Sequence, residues 1–258
     1  MSSLNYEIGG NGPRLVLLHP VGLDLTFLSP VASILRRDFT VLTLDQRGHG
    51  ESRISAPTST LEDYAGDLHT LLQEIDFTPA ALAGFSFGGM VAMAFALKYP
   101  QSVSALAICA CAATQTAESR AIARKRGDDA RLNGMTDVLE ATLDRWFTAP
   151  FRAAGKDKAV RDRLLSDDPD GWSAAWYAMS DVNTLPRLSE IAVPAICIAG
   201  EHDKSAPPPV VQRIAGAIPA ARFSVLPGAP HMLFIEQPEE TARTIAAFLR
   251  DLAPAHGR

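Results

Sequence analysis

Short apolar runs recur along the chain, and nearly every position in them is apolar. A strand with one face in water alternates between apolar and polar residues, whereas a strand covered on both faces does not. The runs therefore predict buried strands of a mostly parallel sheet. They are RLVLLH from Arg14, TVLTLD from Thr40, AALAGF from Ala80, SALAICA from Ser104, AICIAG from Ala195 and RFSVLP from Arg222.

Helical patterns lie between several of these runs. Residues 61–75, 91–98 and 238–252 carry apolar side chains at helical spacing, and Thr60 and Asp63 suit the N-terminus of the first pattern. Strands that alternate with helices predict an α/β domain, with a central sheet flanked by helices.

This alternation stops after Cys111. Residues 114–190 are charged and helix-forming, with no convincing strand, and the strand pattern resumes at IAVPAICIAG. We therefore predict a core formed by residues 1–113 and 191–258, with a helical cap of residues 114–190 inserted into it.

The composition narrows the choice of partner. A chain of 258 residues with 47% hydrophobic content can bury a large core. Its formal net charge is −5, and its basic residues form no block beyond RKR, so neither nucleic acid nor an anionic membrane is favoured. We expect a small-molecule substrate, and the sequence leaves a homo-oligomer open.

Targeting and redox signals are weak. The first residues, MSSLNYEIGG, have neither the basic nor the apolar region of a signal peptide, and the longest near-apolar stretch, residues 103–113, is too short to span a bilayer. We expect a cytoplasmic protein. Its three cysteines, at 109, 111 and 197, lack the spacing of a metal site, so we expect reduced, buried thiols and no metal or other cofactor.

Ser86 is the candidate nucleophile. Gly84, Ser86 and Gly88 form a G-x-S-x-G pattern where a predicted strand meets a predicted helix. A sharp turn there needs residues without bulky side chains on either side of the serine, so that the hydroxyl can point outward. The alternative is a glycine-rich connection with an incidental serine.

A serine hydroxyl needs a base to accept its proton, and in such a fold the acid and the base follow the serine along the chain. His231 is the candidate base because it lies on a loop between the last strand and the last helix. His202 also follows the serine. It adjoins Asp203 in an extended segment, however, where neighbouring side chains point in different directions.

Asp203 is the candidate acid. It follows the strand AICIAG by three residues, and it would accept the imidazole Nδ1 proton and stabilise the imidazolium. Glu201 is the nearest rival and Asp181 a distant one. An ordinary turn aspartate is a further alternative.

The oxyanion of acyl transfer needs two N–H donors. Phe87 would supply one, at the start of the helix that follows the nucleophile. Val21 would supply the other, because Pro20 has no N–H and Val21 is the next residue of the loop LLHPVGLD. Gly22 would then let this loop pass close to the substrate. A plain turn is the alternative.

The segment DQRGHGES, from Asp45 to Ser52, is interpreted as architecture. Gly48 and Gly50 suit a turn with positive φ, while Asp45 and Arg47 can satisfy local backbone and charge. A direct catalytic role for His49 is the alternative.

Together these residues resemble the α/β-hydrolase superfamily. LLHPVG, DQRGHGES, GFSFGG, AGEHD and GAPHM occur in the order of that family, over nearly the whole chain. The resemblance implies an α/β-hydrolase fold with the cap inserted after the sixth strand. Haloalkane and fluoroacetate dehalogenases and epoxide hydrolases carry aspartate at the position of Ser86, so the serine argues against them.

The cap segments LDRWFTAPF and GWSAAWYAM resemble bacterial 3-oxoadipate enol-lactonases. This resemblance implies that Trp146 lines the pocket with Arg145 nearby. The alternative is that Trp146 and Phe147 only dock the cap. The family commonly has a basic residue where Ser180 stands here. The run RAIARKR could supply a cation instead, although we expect it to be a solvated helix face.

The sequence thus predicts a cofactor-free serine hydrolase that cleaves a small ester or lactone through an acyl-enzyme. The resemblance of the cap segments implies that its activity is like that of 3-oxoadipate enol-lactonases. The same residues could serve a C–C bond hydrolase or a perhydrolase-type haloperoxidase. A ligand-binding receptor with a hydrolase-like fold is the non-enzymatic alternative.

Overall fold

A computed structural model describes residues 4–52 and 59–252. Within these ranges the chain forms one sheet of seven strands, in the spatial order β1-β3-β2-β4-β5-β6-β7. The strands are β1 (Tyr6–Gly9), β2 (Arg14–Leu18), β3 (Thr40–Leu44), β4 (Ala80–Phe85), β5 (Val103–Cys109), β6 (Ala195–Gly200) and β7 (Arg222–Leu226).

The sheet is parallel except at one edge, where β1 pairs with β3 in the antiparallel direction. Every residue of β4 and β6 is buried, as continuous apolar runs predict for strands covered on both faces. All six predicted strands are present. The unpredicted strand β1 is mostly exposed, so its sequence carries no run of apolar residues.

The helices of this sheet domain are α1 (Ser29–Leu35), α2 (Leu61–Glu74), α3 (Phe87–Lys98), α9 (Pro208–Ala217), α10 (Leu233–Glu236) and α11 (Pro238–Arg250). The predicted N-terminus of α2 is confirmed, because Thr60 and Asp63 form a reciprocal capping box there. Helix α3 begins four residues earlier than predicted, directly after Ser86. The prediction missed this first turn because its two glycines, Gly88 and Gly89, carry no apolar side chain.

Between β5 and β6 lies the helical segment, which comprises α4 (Ala117–Asn133), α5 (Met135–Trp146), α6 (Ala149–Ala153), α7 (Lys158–Leu165) and α8 (Pro169–Ser180). Among the described residues, the helical segment follows the fifth strand and not the sixth, because five strands, β1 to β5, precede it in the chain. Since the strands from β2 onward are parallel, the loops after them meet at one edge of the sheet, on the side where the helical segment leaves β5.

Candidate active site

Ser86 occupies the turn between β4 and α3. Its backbone has φ 53° and ψ −114°, a conformation that a residue with a side chain adopts only under constraint. The Ser86 N–H donates to the carbonyl oxygen of Cys109, at the end of β5, at 2.8 Å. This bond holds the turn against the next strand while the side chain reaches a cavity at the sheet edge.

The two glycines of the motif are required by close packing. A methyl group on Gly84 would overlap the backbone of Gly88, and a methyl group on Gly88 would overlap the carbonyl group of Leu18. The spacing G-x-S-x-G therefore follows from how closely α3 approaches the strands beneath it.

The structure brings the three predicted side chains together. His231 Nε2 lies 2.9 Å from Ser86 Oγ, and His231 Nδ1 lies 2.8 Å from Asp203 Oδ2. All three residues are buried. Ser86 follows β4, Asp203 follows β6 and His231 follows β7, so the parallel sheet delivers them to one edge.

The hydrogen bonds of Asp203 determine which imidazole nitrogen carries the proton. Its Oδ1 accepts the N–H groups of Ser205 and Ala206, at 2.7 and 2.8 Å. Burial alone would raise the pKa of Asp203, but the charge and hydrogen bond of His231 and these two N–H groups outweigh it and lower the pKa overall. The carboxylate is therefore ionised and accepts from His231 Nδ1–H. Neutral His231 is then left with a bare Nε2, which can accept the Ser86 proton.

The rival residues are occupied elsewhere. The carboxylate of Glu201 accepts the N–H of Gly228 at 2.7 Å, and His202 is exposed. Asp181 pairs with Arg124 at 2.9 Å at the end of the helical segment. The geometry therefore distinguishes Asp203 from Glu201 and from Asp181.

Val21 and Phe87 are the predicted N–H donors to the oxyanion. Val21 lines the same cavity as Ser86 and His231. Phe87 is the first residue of α3, so its N–H is among those with no acceptor inside the helix. Its ring packs edge-on against Tyr64, at 4.8 Å between centroids, and its backbone directly follows that of Ser86. Their role as an oxyanion hole stays a prediction.

The expected role of Gly22 needs correction. Gly22 has φ 73°, and a methyl group there would meet the side chains of Trp172 and Leu164. Gly22 thus lets the loop approach the helical segment, and it is not among the residues that line the cavity.

The segment DQRGHGES forms a tight, internally bonded turn. Gly48 and Gly50 both have positive φ, and Arg47 pairs with Asp67 of α2 at 2.6 Å. The Asp45 carboxylate accepts from three donors that belong to different parts of the chain. They are the Asn5 side chain at 2.8 Å, the Leu25 N–H at 2.8 Å and the Glu51 N–H at 2.9 Å.

Two buried histidines, His19 and His49, form hydrogen bonds with the backbone of this turn. His49 Nδ1 donates to the carbonyl oxygen of Arg47 at 2.9 Å, and His49 does not line the cavity. His19 Nε2 accepts the N–H of Gln46 at 2.9 Å, so His19 Nδ1 carries the proton and donates to the Pro20 carbonyl at 2.6 Å. Burial, with a smaller contribution from the charge of His49, lowers the pKa of His19 to about 3.

A cavity of about 170 Å³ opens beside Ser86 and His231. Both residues implied by the enol-lactonase resemblance, Arg145 and Trp146, line it. Trp146 is nearly fully buried, and its carbonyl oxygen accepts the N–H of Met232 at 3.0 Å, so it also docks the helical segment.

The end of α5 and the residues just after it bond to the loop of the candidate acid and to α10, the helix that follows the candidate base. Lys204, next to Asp203 in the chain, donates to the Asp144 carbonyl at 3.1 Å. Thr148 donates its N–H and its hydroxyl to the Glu236 carboxylate, at 2.8 and 2.9 Å. These bonds fix the helical segment relative to the sheet edge.

Part of the run RAIARKR departs from its expected role. Arg120 and Arg124 pair with Asp181, and Lys125 is exposed, as a solvated face requires. Arg126 instead lines the cavity, half-buried. Burial, together with the charge of Arg145, lowers the pKa of Arg126 to about 10.

Sequence reasoning also missed Trp176 and Ser205, which line the cavity. Trp176 stands in the segment GWSAAWYAM, and Ser205 is two residues beyond Asp203, so proximity to a recognised motif was the available signal. Ser180, where the family commonly has a basic residue, is fully buried and donates to the Tyr177 carbonyl at 2.7 Å. It does not line the cavity.

Cys109, Cys111 and Cys197 are free and buried. Burial raises the pKa of each thiol, to about 12 for Cys197. Across residues 4–52 and 59–252, no cluster of three or more His, Cys, Asp and Glu side chains could hold a metal ion. None of the helices described is both long and apolar enough to cross a bilayer.

Comparison with known proteins identifies the family to which the chain is similar. Residues 15–244 match the sequence profile described as the Alpha/beta hydrolase family. The chain is 27% identical over 254 residues to 3-oxoadipate enol-lactonase 1 from Acinetobacter baylyi, a match that covers 97% of this chain and 94% of the relative.

Two solved structures resemble the fold over almost its full length. A thermophilic esterase from Thermogutta terrifontis, with malate bound, superposes with a TM-score of 0.91 at 29% identity and covers 96% of this chain and 93% of its own. The enol-lactonase from Burkholderia xenovorans LB400 superposes with a TM-score of 0.89 at 32% identity and covers 96% of each chain.

Proposed function

Because the chain belongs to the alpha/beta hydrolase family and has its fold, we propose that it is a serine hydrolase that cleaves a small ester or lactone through an acyl-enzyme. In this proposal residues 114–190 form a cap over the active site, and residues 1–113 and 191–258 form the catalytic core. The observation that carries the proposal is the hydrogen-bonded series Ser86, His231 and Asp203, with spacings of 2.9 and 2.8 Å.

The reaction follows from the protonation states of these groups. Ser86 Oγ attacks the substrate carbonyl as its proton moves to His231 Nε2, and ionised Asp203 stabilises the imidazolium that forms. The N–H groups of Val21 and Phe87 would hold the oxyanion. His231 then protonates the leaving oxygen. A water molecule, deprotonated by the same imidazole, releases the acid product and restores Ser86.

For the substrate, we propose 3-oxoadipate enol-lactone or a close analogue. The support is the similarity to enol-lactonases over nearly the whole chain, and the presence of Arg145 and Trp146 in the cavity wall. The enol oxygen departs easily because an enolate is a weaker base than an alkoxide, and the released enol then tautomerises to a ketone. The small cavity suits a substrate of this size and is well below the volume of a drug-sized site.

The nucleophile is tested with a chromogenic acetate ester. We expect Ser86→Ala to lose hydrolysis, while Ser104→Ala, an exposed serine of β5, retains it. A fluorophosphonate probe should add one label to the wild type and none to Ser86→Ala, as read by intact mass. Equal turnover by wild type and Ser86→Ala would overturn the serine-hydrolase proposal.

The narrower substrate is tested by following the ring opening of 3-oxoadipate enol-lactone beside neutral five-membered lactones. We expect the enol-lactone to have the higher kcat/KM. A preference for the neutral lactones would overturn the enol-lactonase assignment and leave the serine chemistry intact.

A further inference from the structure

The backbone N–H of Val21 is a buried donor without an acceptor. It forms no hydrogen bond within the part of the chain that the structure describes. Val21 is only 2% exposed and lines the cavity with Ser86 and His231. Buried backbone N–H groups are nearly always paired, so an unpaired one beside the nucleophile suits an acceptor that arrives with the substrate. Because this N–H bonds to nothing inside the protein, other groups of the loop must aim it.

The carbonyl group of Pro20 sets the direction of the Val21 N–H, because both belong to one peptide unit. The Pro20–Val21 peptide bond is trans, so its C=O and its N–H point in opposite directions. The ring of Pro20 fixes φ of that residue, and the peptide plane can therefore turn only through ψ of Pro20 and φ of Val21. A group that holds the Pro20 oxygen also aims the Val21 N–H.

His19 holds the Pro20 oxygen. Its Nδ1 donates to that oxygen at 2.6 Å. The N–H of Leu23 donates to the same oxygen across a turn in which Gly22 has φ 73°, but this bond is longer, at 3.4 Å. The His19 bond lies within the range of strong hydrogen bonds and the Leu23 bond lies beyond it. The imidazole is therefore the main restraint on the peptide plane.

The imidazole of His19 is itself fixed in one tautomer. It is fully buried, and its Nε2 accepts the N–H of Gln46 at 2.9 Å. The side-chain amide of Gln46 donates to the His19 carbonyl oxygen at 2.6 Å, which also holds the His19 backbone. Nε2 must stay bare to accept from Gln46, so the proton stays on Nδ1. Burial lowers the pKa of His19 to about 3, and the donor to Pro20 is thus present throughout neutral and mildly acidic solution.

We infer that His19 is a positioning residue for the proposed hydrolysis. By holding the Pro20 carbonyl oxygen, it keeps the Val21 N–H aimed at the oxyanion that forms on the substrate. Without this bond the Pro20–Val21 peptide can rotate and present its carbonyl oxygen, which repels an oxyanion. The effect falls on the transition state, because the negative charge develops only there. This inference rests on the proposed function, since it explains how the same site stabilises that charge.

Two variants separate the two bonds of the imidazole. In His19→Asn the amide nitrogen can replace Nδ1 as the donor to Pro20, whereas the bond to Gln46 is lost. In His19→Gln the amide oxygen can replace Nε2 as the acceptor for Gln46, whereas the donor to Pro20 is lost. For p-nitrophenyl acetate we expect kcat of His19→Gln to fall by about 10² to 10³ with KM near that of the wild type, and kcat of His19→Asn to fall by less than about tenfold.

A control and a transition-state analogue separate positioning from stability. His69→Asn, in a half-buried histidine of α2 that stacks on Tyr99, should keep the wild-type kcat. A trifluoromethyl ketone forms an adduct with Ser86 that carries the oxyanion, so its inhibition constant should rise in His19→Gln by about the factor by which kcat/KM falls. Thermal unfolding should show similar losses of Tm for His19→Asn and His19→Gln, because each loses one buried hydrogen bond.

The outcomes that contradict the inference are distinct from those that contradict the proposed function. Equal kcat in His19→Asn and His19→Gln would overturn it, and wild-type kcat in His19→Gln would show that the Leu23 bond is sufficient. The tautomer is tested in the wild type without any variant: long-range ¹H–¹⁵N spectra should show His19 with a protonated Nδ1 and a bare Nε2, and the reverse would also overturn the inference. Hydrolysis by Ser86→Ala would instead overturn the proposed function.

Discussion

Replacing Asp203 with asparagine would move the imidazole proton of His231 from Nδ1 to Nε2 while keeping the shape of the site. An asparagine Oδ1 could still accept from Ser205 and Ala206, as Asp203 Oδ1 does now. Its NH₂ group would then face His231 Nδ1, where the carboxylate now lies at 2.8 Å. Two donors cannot face each other, so the imidazole proton would move to Nε2.

With the proton on Nε2, the imidazole can no longer accept from the Ser86 hydroxyl at 2.9 Å. The loss of the general base and of the charge that stabilises the imidazolium should lower kcat/KM by about 10³ to 10⁴. That corresponds to about 4 to 5.5 kcal/mol of transition-state stabilisation. Steady-state hydrolysis of p-nitrophenyl acetate measures the loss, and thermal unfolding verifies that the variant remains folded.

Glu201→Gln is the matched control. Glu201 is exposed, stands two residues before Asp203 and accepts from Gly228, a bond that a glutamine oxygen can keep. We expect its activity to stay within about twofold of wild type. If the asparagine variant at 203 keeps activity within about tenfold of wild type, another group orients His231 and the assigned acid is wrong.

Three further predictions concern stability. Gly88→Ala should lower the free energy of unfolding by about 2 kcal/mol or more, because the added methyl group would overlap the backbone of Leu18. Gly216→Ala, on α9, should raise the free energy of unfolding by up to about 1 kcal/mol, because the added methyl group would lie in open space and alanine favours the helix. Urea denaturation compares the two, and equal effects would contradict the packing argument. Arg163→Met should cost about 3 kcal/mol in the same assay, because it leaves the buried Asp167 carboxylate, 3.1 Å away, unpaired; a change below about 0.5 kcal/mol would refute this. His19 has a pKa of about 3 in the folded protein and one near 6.5 in the unfolded chain, so below pH 6.5 the unfolded chain binds a proton that the folded protein does not. The free energy of unfolding should therefore fall by about 1.4 kcal/mol for each pH unit below 6.5. His19→Asn should reduce the slope of the free energy of unfolding against pH, and an unchanged slope would mean that other groups cause the pH dependence.

The predicted fold is confirmed, because the burial of the strands between helices is also what makes their sequences apolar. Strands covered by helices on both faces are apolar at nearly every position, so the buried strands β2 to β6 were visible as runs. The run at Arg222 also forms a strand, but its predicted burial was wrong, because β7 lies at the edge of the sheet and only Leu226 of it is buried. Edge strand β1, at Tyr6–Gly9, was invisible because most of its residues face water. The strand number given for the insertion was wrong because it came from the family resemblance, whereas five strands precede the helical segment among the described residues.

The grouping of Ser86, Asp203 and His231 could be predicted because it depends on topology. Each follows a different parallel strand, and the carboxyl ends of such strands meet at one edge whatever the detailed packing. The hydrogen-bond partners that set the proton positions were not predictable. They depend on backbone N–H groups at 205 and 206, whose direction is fixed only once the loop after β6 is folded.

The position of Arg126 shows why the substrate side of the site was harder to predict. Helix α4 buries the small residues Ala123, Gly127 and Ala130, and Gly127 approaches the backbone of Ser173 on α8. That close approach turns Arg126, which adjoins the buried stripe, toward Trp176, one turn beyond Ser173. In the sequence Arg126 is the last residue of a basic run and looks solvated. The spacing of the three small residues was the available signal, and it has meaning only when the partner helix is known.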